Sequence, residues 1–210
     1  MLFDFLTVAV LAVVGTRLVS FAVETARSRT LRDRTLAIVR ELRPRHFLRA
    51  PLVLVVVVVA ASALIQVPGL SWGWWTAIGG TGNVIVGGTD RAGLGALTRF
   101  TPVVFIALLI PLLPLFAERE ELAFRAGAEH WSWPRRVRRA VDFGLVHLIM
   151  GIPIGVGLAL SLGGGYFMWA YLRGYRAGGR RAALVESTCS HLAYNMEILV
   201  LVFVALLLGL

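Results

Sequence analysis

The chain has 210 residues, of which 58% are hydrophobic and only 16% charged. With glycine counted in and tyrosine out, about 67% are apolar, against roughly 45–50% for a soluble globular domain, which excludes an ordinary water-soluble fold and a disordered chain alike. The net charge of +9 comes from 21 basic residues, every one arginine, against 12 acids; in a membrane protein that excess reports first on orientation, so nucleic acid is not an expected partner.

At about 20 residues per helical crossing, this length allows about six crossings in one bundle. The first apolar stretch, Leu2–Val23, contains Asp4 and Arg17 and lacks a basic leader, so it reads as a retained helix. Residues 24–50 carry eight Arg and three acids, with an amphipathic piece around Leu36–Phe47 suited to a membrane surface. The second span is Pro51–Leu70, with an unbroken five-valine run. Ser71–Arg99 is rich in glycine and holds Trp72, Trp74 and Trp75, residues that suit a membrane–water boundary. Its glycine run Gly79–Gly88 is no P-loop, because the chain has no lysine.

The third span starts near Thr101 and runs through Phe116 into Glu118-Arg119-Glu120-Glu121. An arginine-rich connector leads to Val141–Leu172, an apolar stretch that the triplet Gly163-Gly164-Gly165 is expected to break into a hairpin of two short helices. Arg173, Arg176, Arg180 and Arg181 form the next connector, before a last span from about Ala183 to Leu208. The expected fold class is all-α, a polytopic transmembrane bundle of about six segments, with helices and a basic connector in residues 1–100 and the functional core in 101–210.

Three arginine-rich connectors hold 18 of the 21 Arg, the opposite loop only Arg91 and Arg99. The positive-inside rule therefore places these connectors in the cytoplasm and both termini outside, with attraction to anionic membrane lipid as a by-product. The single cysteine, Cys189, lies in an apolar stretch and reads as a buried, inert thiol. His46 and His130 fall in the basic connectors and are expected to be solvated.

Ionisable side chains at membrane depth are expensive and mark function by default. Three groups qualify: Glu120-Glu121-Leu122-Ala123-Phe124-Arg125, Phe143-Gly144-Leu145-Val146-His147, and His191-Leu192-Ala193-Tyr194-Asn195. The expected topology brings all three to one side of the membrane. Glu121 and Arg125 are four apart with the acid first, the favourable order for a helical salt bridge, leaving Glu120 about 100° round the helix to face elsewhere. His191 and Asn195 repeat that spacing, as do Phe143 and His147. A carboxylate, a histidine and a His/Asn pair on three helices are the inventory for activating a water and stabilising an oxyanion.

Glu-Glu-x-x-x-Arg, Phe-x-x-x-His and His-x-x-x-Asn, in that order on successive membrane helices, resemble the CAAX protease and bacteriocin-processing (CPBP, or ABI) intramembrane endopeptidases. The resemblance covers Glu120–Asn195 and the surrounding spans, with Ala126 where the family often has glycine. It implies an intramembrane glutamate protease acting on a peptide or membrane-protein substrate; the arginine content and short loops suggest the plasma membrane, and the arginine count puts the active site toward the cytoplasm. Glu120 with His147 would activate the water, and His191 and Asn195 would form the oxyanion hole. Glu121, Arg125 and Phe143 would support them.

No metal or other cofactor is expected, since no His-Glu-x-x-His occurs. The alternative is a zinc-dependent variant with Glu120, His147 and His191 as ligands. Outside enzymes, the rival is a non-catalytic membrane scaffold or immunity protein; a proton-coupled carrier would call for inverted repeats, and none is visible.

Overall fold

The computed structural model describes residues 2–80 and 96–208, and all regular structure among them is helical. Eight α-helices occur among the described residues: α1 (Leu2–Arg27), α2 (Arg29–Arg40), α3 (Pro44–Leu64), the single turn α4 (Trp74–Ala77), α5 (Ala96–Leu109), α6 (Leu113–Arg125), α7 (Trp133–Val146) and α8 (Ile154–Leu208). Val8–Arg27, Pro44–Leu64 and Ile154–Ala205 are each long and apolar enough to cross a membrane. With the composition, they make the chain an all-helical membrane protein. Most of the glycine run, together with Arg91, lies outside the described residues.

Breaks in the apolar stretches follow backbone chemistry. Pro111 sits in a 3₁₀ turn, Ile110–Leu112, that divides the expected third span into α5 and α6, since proline cannot donate to the helix ladder. The stretch 141–172 is also broken, but not at the glycine triplet. α7 ends at Val146, a 3₁₀ turn covers His147–Met150, Gly151 takes a left-handed φ of +81°, and α8 begins after Pro153. Gly163, Gly164 and Gly165 stay helical, and at Gly164 α8 meets α7. A Cβ on Gly164 would lie 2.6 Å from the Ala140 carbonyl oxygen, and one on Gly144 of α7 would lie 2.2 Å from that of Gly157. Small residues at a helix crossing let two backbones approach.

The connector expected at 173–181 is mostly helix. α8 bends only at Gly178 and Gly179, the latter at φ +72°, so its two limbs fold back on each other. Gly174 makes the tight return, since a Cβ there would lie 2.7 Å from the Ala182 carbonyl oxygen. The surface helix also starts earlier than expected. Ser28 caps α2 by accepting from the Leu31 N–H at 3.3 Å.

The core forms where α3, α7 and both limbs of α8 meet, around Ala50, Phe143, Phe167, Ala193 and Tyr194. α6 packs beside it through Leu113 and Ala117 on Leu192. α1 closes the other flank with Leu18 and Phe21 against Leu112 and Leu115.

Side-chain contacts bring the three arginine-rich connectors to one end. Arg34 pairs with Glu118, Arg45 donates to Glu186 at 2.6 Å, and Tyr171 donates to Glu129 at 2.8 Å. Burial alone would raise the Glu129 carboxyl; its own backbone N–H and the Tyr171 hydroxyl outweigh that and hold it below the usual carboxylate range. At the opposite end, the Leu70 and Trp72 carbonyls accept from Gly155 and Ile154, satisfying the first turn of α8. Trp72 is exposed there, Trp75 is fully buried within the protein, and Trp74 donates to the Leu148 carbonyl.

Neighbouring glycines should therefore respond in opposite ways. Gly164→Ala forces a Cβ into the α7 backbone and should cost about 1–3 kcal/mol. Gly165→Ala meets nothing within 4 Å and should be neutral or stabilising by up to about 1 kcal/mol. Thermal unfolding of the two variants in one detergent separates them; equal behaviour would refute the close-crossing assignment.

Candidate functional site

Two charges that water would normally claim are buried at the end of α6. Glu121 and Arg125 are both fully buried, and Arg125 Nη1 donates to Glu121 Oε1 at 2.9 Å. This is the helical pair that the spacing predicts. It is not self-contained, however. His191 Nδ1, from the second limb of α8, lies 2.9 Å from the same Glu121 oxygen, and Arg125 Nη2 reaches the Gly164 carbonyl of the first limb at 3.3 Å.

Aromatic rings enclose the group. The Arg125 guanidinium lies 4.2 Å from the centroid of Phe143, and Phe167 stacks on the His191 imidazole at 4.3 Å and 22°. Phe143 meets His191 edge-on at 5.4 Å and His147 at 5.0 Å, so one phenyl ring stands between the two imidazoles. These apolar walls raise the cost of leaving any charge here unpaired.

Glu120 sits at the margin, its side chain 37% exposed. Its Oε2 is buried, without a hydrogen-bond partner among the described residues, and stands 3.7 Å from His191 Nε2. His191 thus lies between the two glutamates. His147, half-buried, directs Nδ1 at the Phe143 carbonyl 2.8 Å away and pairs with neither glutamate among the described residues. Asn195 is half-buried one turn beyond His191, and its side chain makes no hydrogen bond among the described residues. The structure therefore gathers Glu120, Glu121, Arg125, Phe143 and His191 tightly, with His147 across Phe143.

Glu120, His147 and His191 do not converge as ligands; no group of three His, Cys, Asp or Glu among the described residues could hold a metal ion. Cys189 is buried, as expected of an inert thiol, with Sγ 3.8 Å from the Ile38 carbonyl oxygen.

Phe167 and the Gly164 carbonyl complete the site without having stood out in the sequence. A second charged cluster also went unread. Glu186 of α8 takes Arg45 Nη2 at 2.6 Å, His46 Nε2 at 3.3 Å and Arg49 Nη1 at 3.7 Å. His46 is correspondingly buried rather than solvated, because this cluster ties α3 to α8; His130, in contrast, is exposed. The available signal was an acid inside an apolar span, opposite two arginines four apart. Comparison with protein-family models, with curated proteins and with solved structures found no match in any of the three.

Arg125→Ala leaves Glu121 buried with a histidine but no cation and should cost about 3–5 kcal/mol. The double variant Glu121→Gln with Arg125→Met removes both charges and should recover part of that loss. Yield and thermal unfolding in detergent check this; normal stability of Arg125→Ala would mean that the pair does not hold the site together.

Proposed function

We propose that the chain is a multi-pass plasma-membrane endopeptidase of the CAAX-protease and bacteriocin-processing type. The observation that carries this reading is the meeting of Glu120 and the Glu121–Arg125 pair from α6 with His191 from α8, walled by Phe143 and Phe167. Four ionisable side chains from two distant stretches of chain, gathered at the end of an apolar bundle, fit acid–base chemistry better than chance burial.

Hydrogen-bond partners support distinct roles for the histidines. A carbonyl only accepts, so the His147 nitrogen facing Phe143 carries that ring's proton and leaves Nε2 with a lone pair, the form of a base. The Glu121 carboxylate likewise accepts from Nδ1 of His191, and a second proton on Nε2 turns that ring into an N–H donor on the Glu120 side. In the reaction, Glu120 assisted by His147 takes a proton from water as its oxygen bonds to the scissile carbonyl carbon. His191 and Asn195 donate to the resulting oxyanion. The proton then passes to the amine as the C–N bond breaks.

An apolar cavity of about 460 Å³, bordered by Leu113 and Pro114 of α6 and by Leu192 and Met196 of α8, lies on the two helices that carry Glu120 and His191, although neither of those side chains lines it. It suits a peptide with apolar side chains or a membrane-embedded substrate. The 18 arginines of the three connectors orient this end toward the cytoplasm. Zinc is a poor fit, since Glu120 and His191 stand close enough to share an ion but His147 does not join them in a group of three ligands among the described residues.

One observation favours the non-catalytic scaffold instead: Glu121, Arg125 and His191 are already bonded to one another. Glu120→Gln separates the two readings. It should preserve the fold and cut peptide-bond cleavage by about 100-fold or more, and Asn195→Ala should also lower turnover. Activity should survive a strong chelator. Full activity of Glu120→Gln on a genuine substrate would put the scaffold reading first. Reporter fusions after Arg34, Arg138 and Gly178 should all report cytoplasm; a periplasmic signal from any of them would break the orientation.

A further inference from the structure

Trp169, on the first limb of α8, is 47% exposed although it belongs to a long apolar helix. Two arginines from different helices flank its indole. The guanidinium carbon of Arg49 in α3 lies 5.5 Å from the ring, and that of Arg173 lies 5.4 Å away. Tyr166 stacks on the same indole at 5.9 Å and 23°. Like charges drawn to one ring repel each other, and the local acids do not balance them. Glu186 accepts a hydrogen bond from Arg45 and lies 3.7 Å from Arg49 Nη1, whereas Arg173 has no carboxylate partner among the described residues. Arg49 Nη1 is itself buried without a hydrogen bond.

The other indole at this end differs in one respect. Trp131 also carries two arginines, Arg135 and Arg139, and Asp142 lies 3.7 Å from Arg139 as Glu186 does from Arg49, but Arg139 donates to the Ala123 carbonyl whereas Arg49 Nη1 has no acceptor among the described residues. Around Trp169, Arg173 has no carboxylate partner and Arg49 Nη1 no hydrogen-bond acceptor among the described residues. The place is the basic end of a membrane bundle, where an indole at headgroup level is stable.

We propose that Arg49, Trp169 and Arg173 form a binding site for the phosphate of an anionic phospholipid. The two guanidiniums donate to the phosphate oxygens, with the fork geometry that suits arginine to phosphate. The indole carries the start of the acyl chains along the outer surface of α3 and α8, where the exposed Leu52, Val56 and Leu162 continue the apolar path. This site is independent of the protease reading.

The test titrates the purified full chain in neutral detergent with short-chain phosphatidylglycerol, and separately with phosphatidylcholine, counting bound lipids by native mass spectrometry. Wild type should retain phosphatidylglycerol preferentially. Arg173→Gln should weaken that retention about fivefold, the value of one arginine near a lipid surface, and Arg49→Gln by a similar factor. Arg176→Gln, an exposed neighbour that removes the same charge, should change it little. Arg173 has no protein acceptor among the described residues, so its variant should fold even if Arg49→Gln, which loses a Glu186 contact, does not. Equal loss in Arg173→Gln and Arg176→Gln would reduce the effect to general surface attraction. No preference in wild type, or full competition by inorganic phosphate, would overturn the lipid assignment.

Discussion

Everything near the site depends on one buried ionic group. Glu121 and Arg125 cannot be left alone at this depth, and each resolves its surplus valence on a different limb of α8. Glu121 takes the His191 imidazole of the second limb, and Arg125 takes the Gly164 carbonyl of the first. Three helical pieces are fixed by two side chains. Because removing one partner of a buried pair costs more than the pair contributes, the arrangement specifies a single register more than it adds stability.

Glu186 repeats this logic one helix away, binding the basic start of α3 to the second limb of α8 through Arg45 and His46. Glycines do the complementary work. At Gly144, Gly164 and Gly174 the backbones come so close that a side chain has no room, and the carbonyl thereby exposed at Gly164 is the one that Arg125 uses. Close approach and buried charge are therefore coupled at a single residue.

Much of this was legible from spacing alone. The Glu121–Arg125 pair follows from a four-residue interval on a helix. What stayed hidden has definite physical causes. A glycine triplet reads equally as a hinge or as a packing face, and only the neighbour across the crossing decides; here α7 is that neighbour. His46 looked solvated because its connector is basic, yet Glu186, distant in sequence, buries it. Phe167 is one aromatic among many in an apolar run, and nothing local distinguishes the ring that stacks on His191. The role of Glu120 rests on chemistry and resemblance, since spacing fixes only that it faces away from Arg125.

The pairing of Leu70 and Trp72 with the first turn of α8 has a consequence for the order in which the chain assembles. The amides of Ile154 and Gly155 find their acceptors on a segment synthesised long before them, just beyond α3. Once α3 has been inserted, that segment presents carbonyls at the membrane surface ahead of the residues that will use them. The start of the C-terminal hairpin is thus held against a segment made earlier, level with the end of α3.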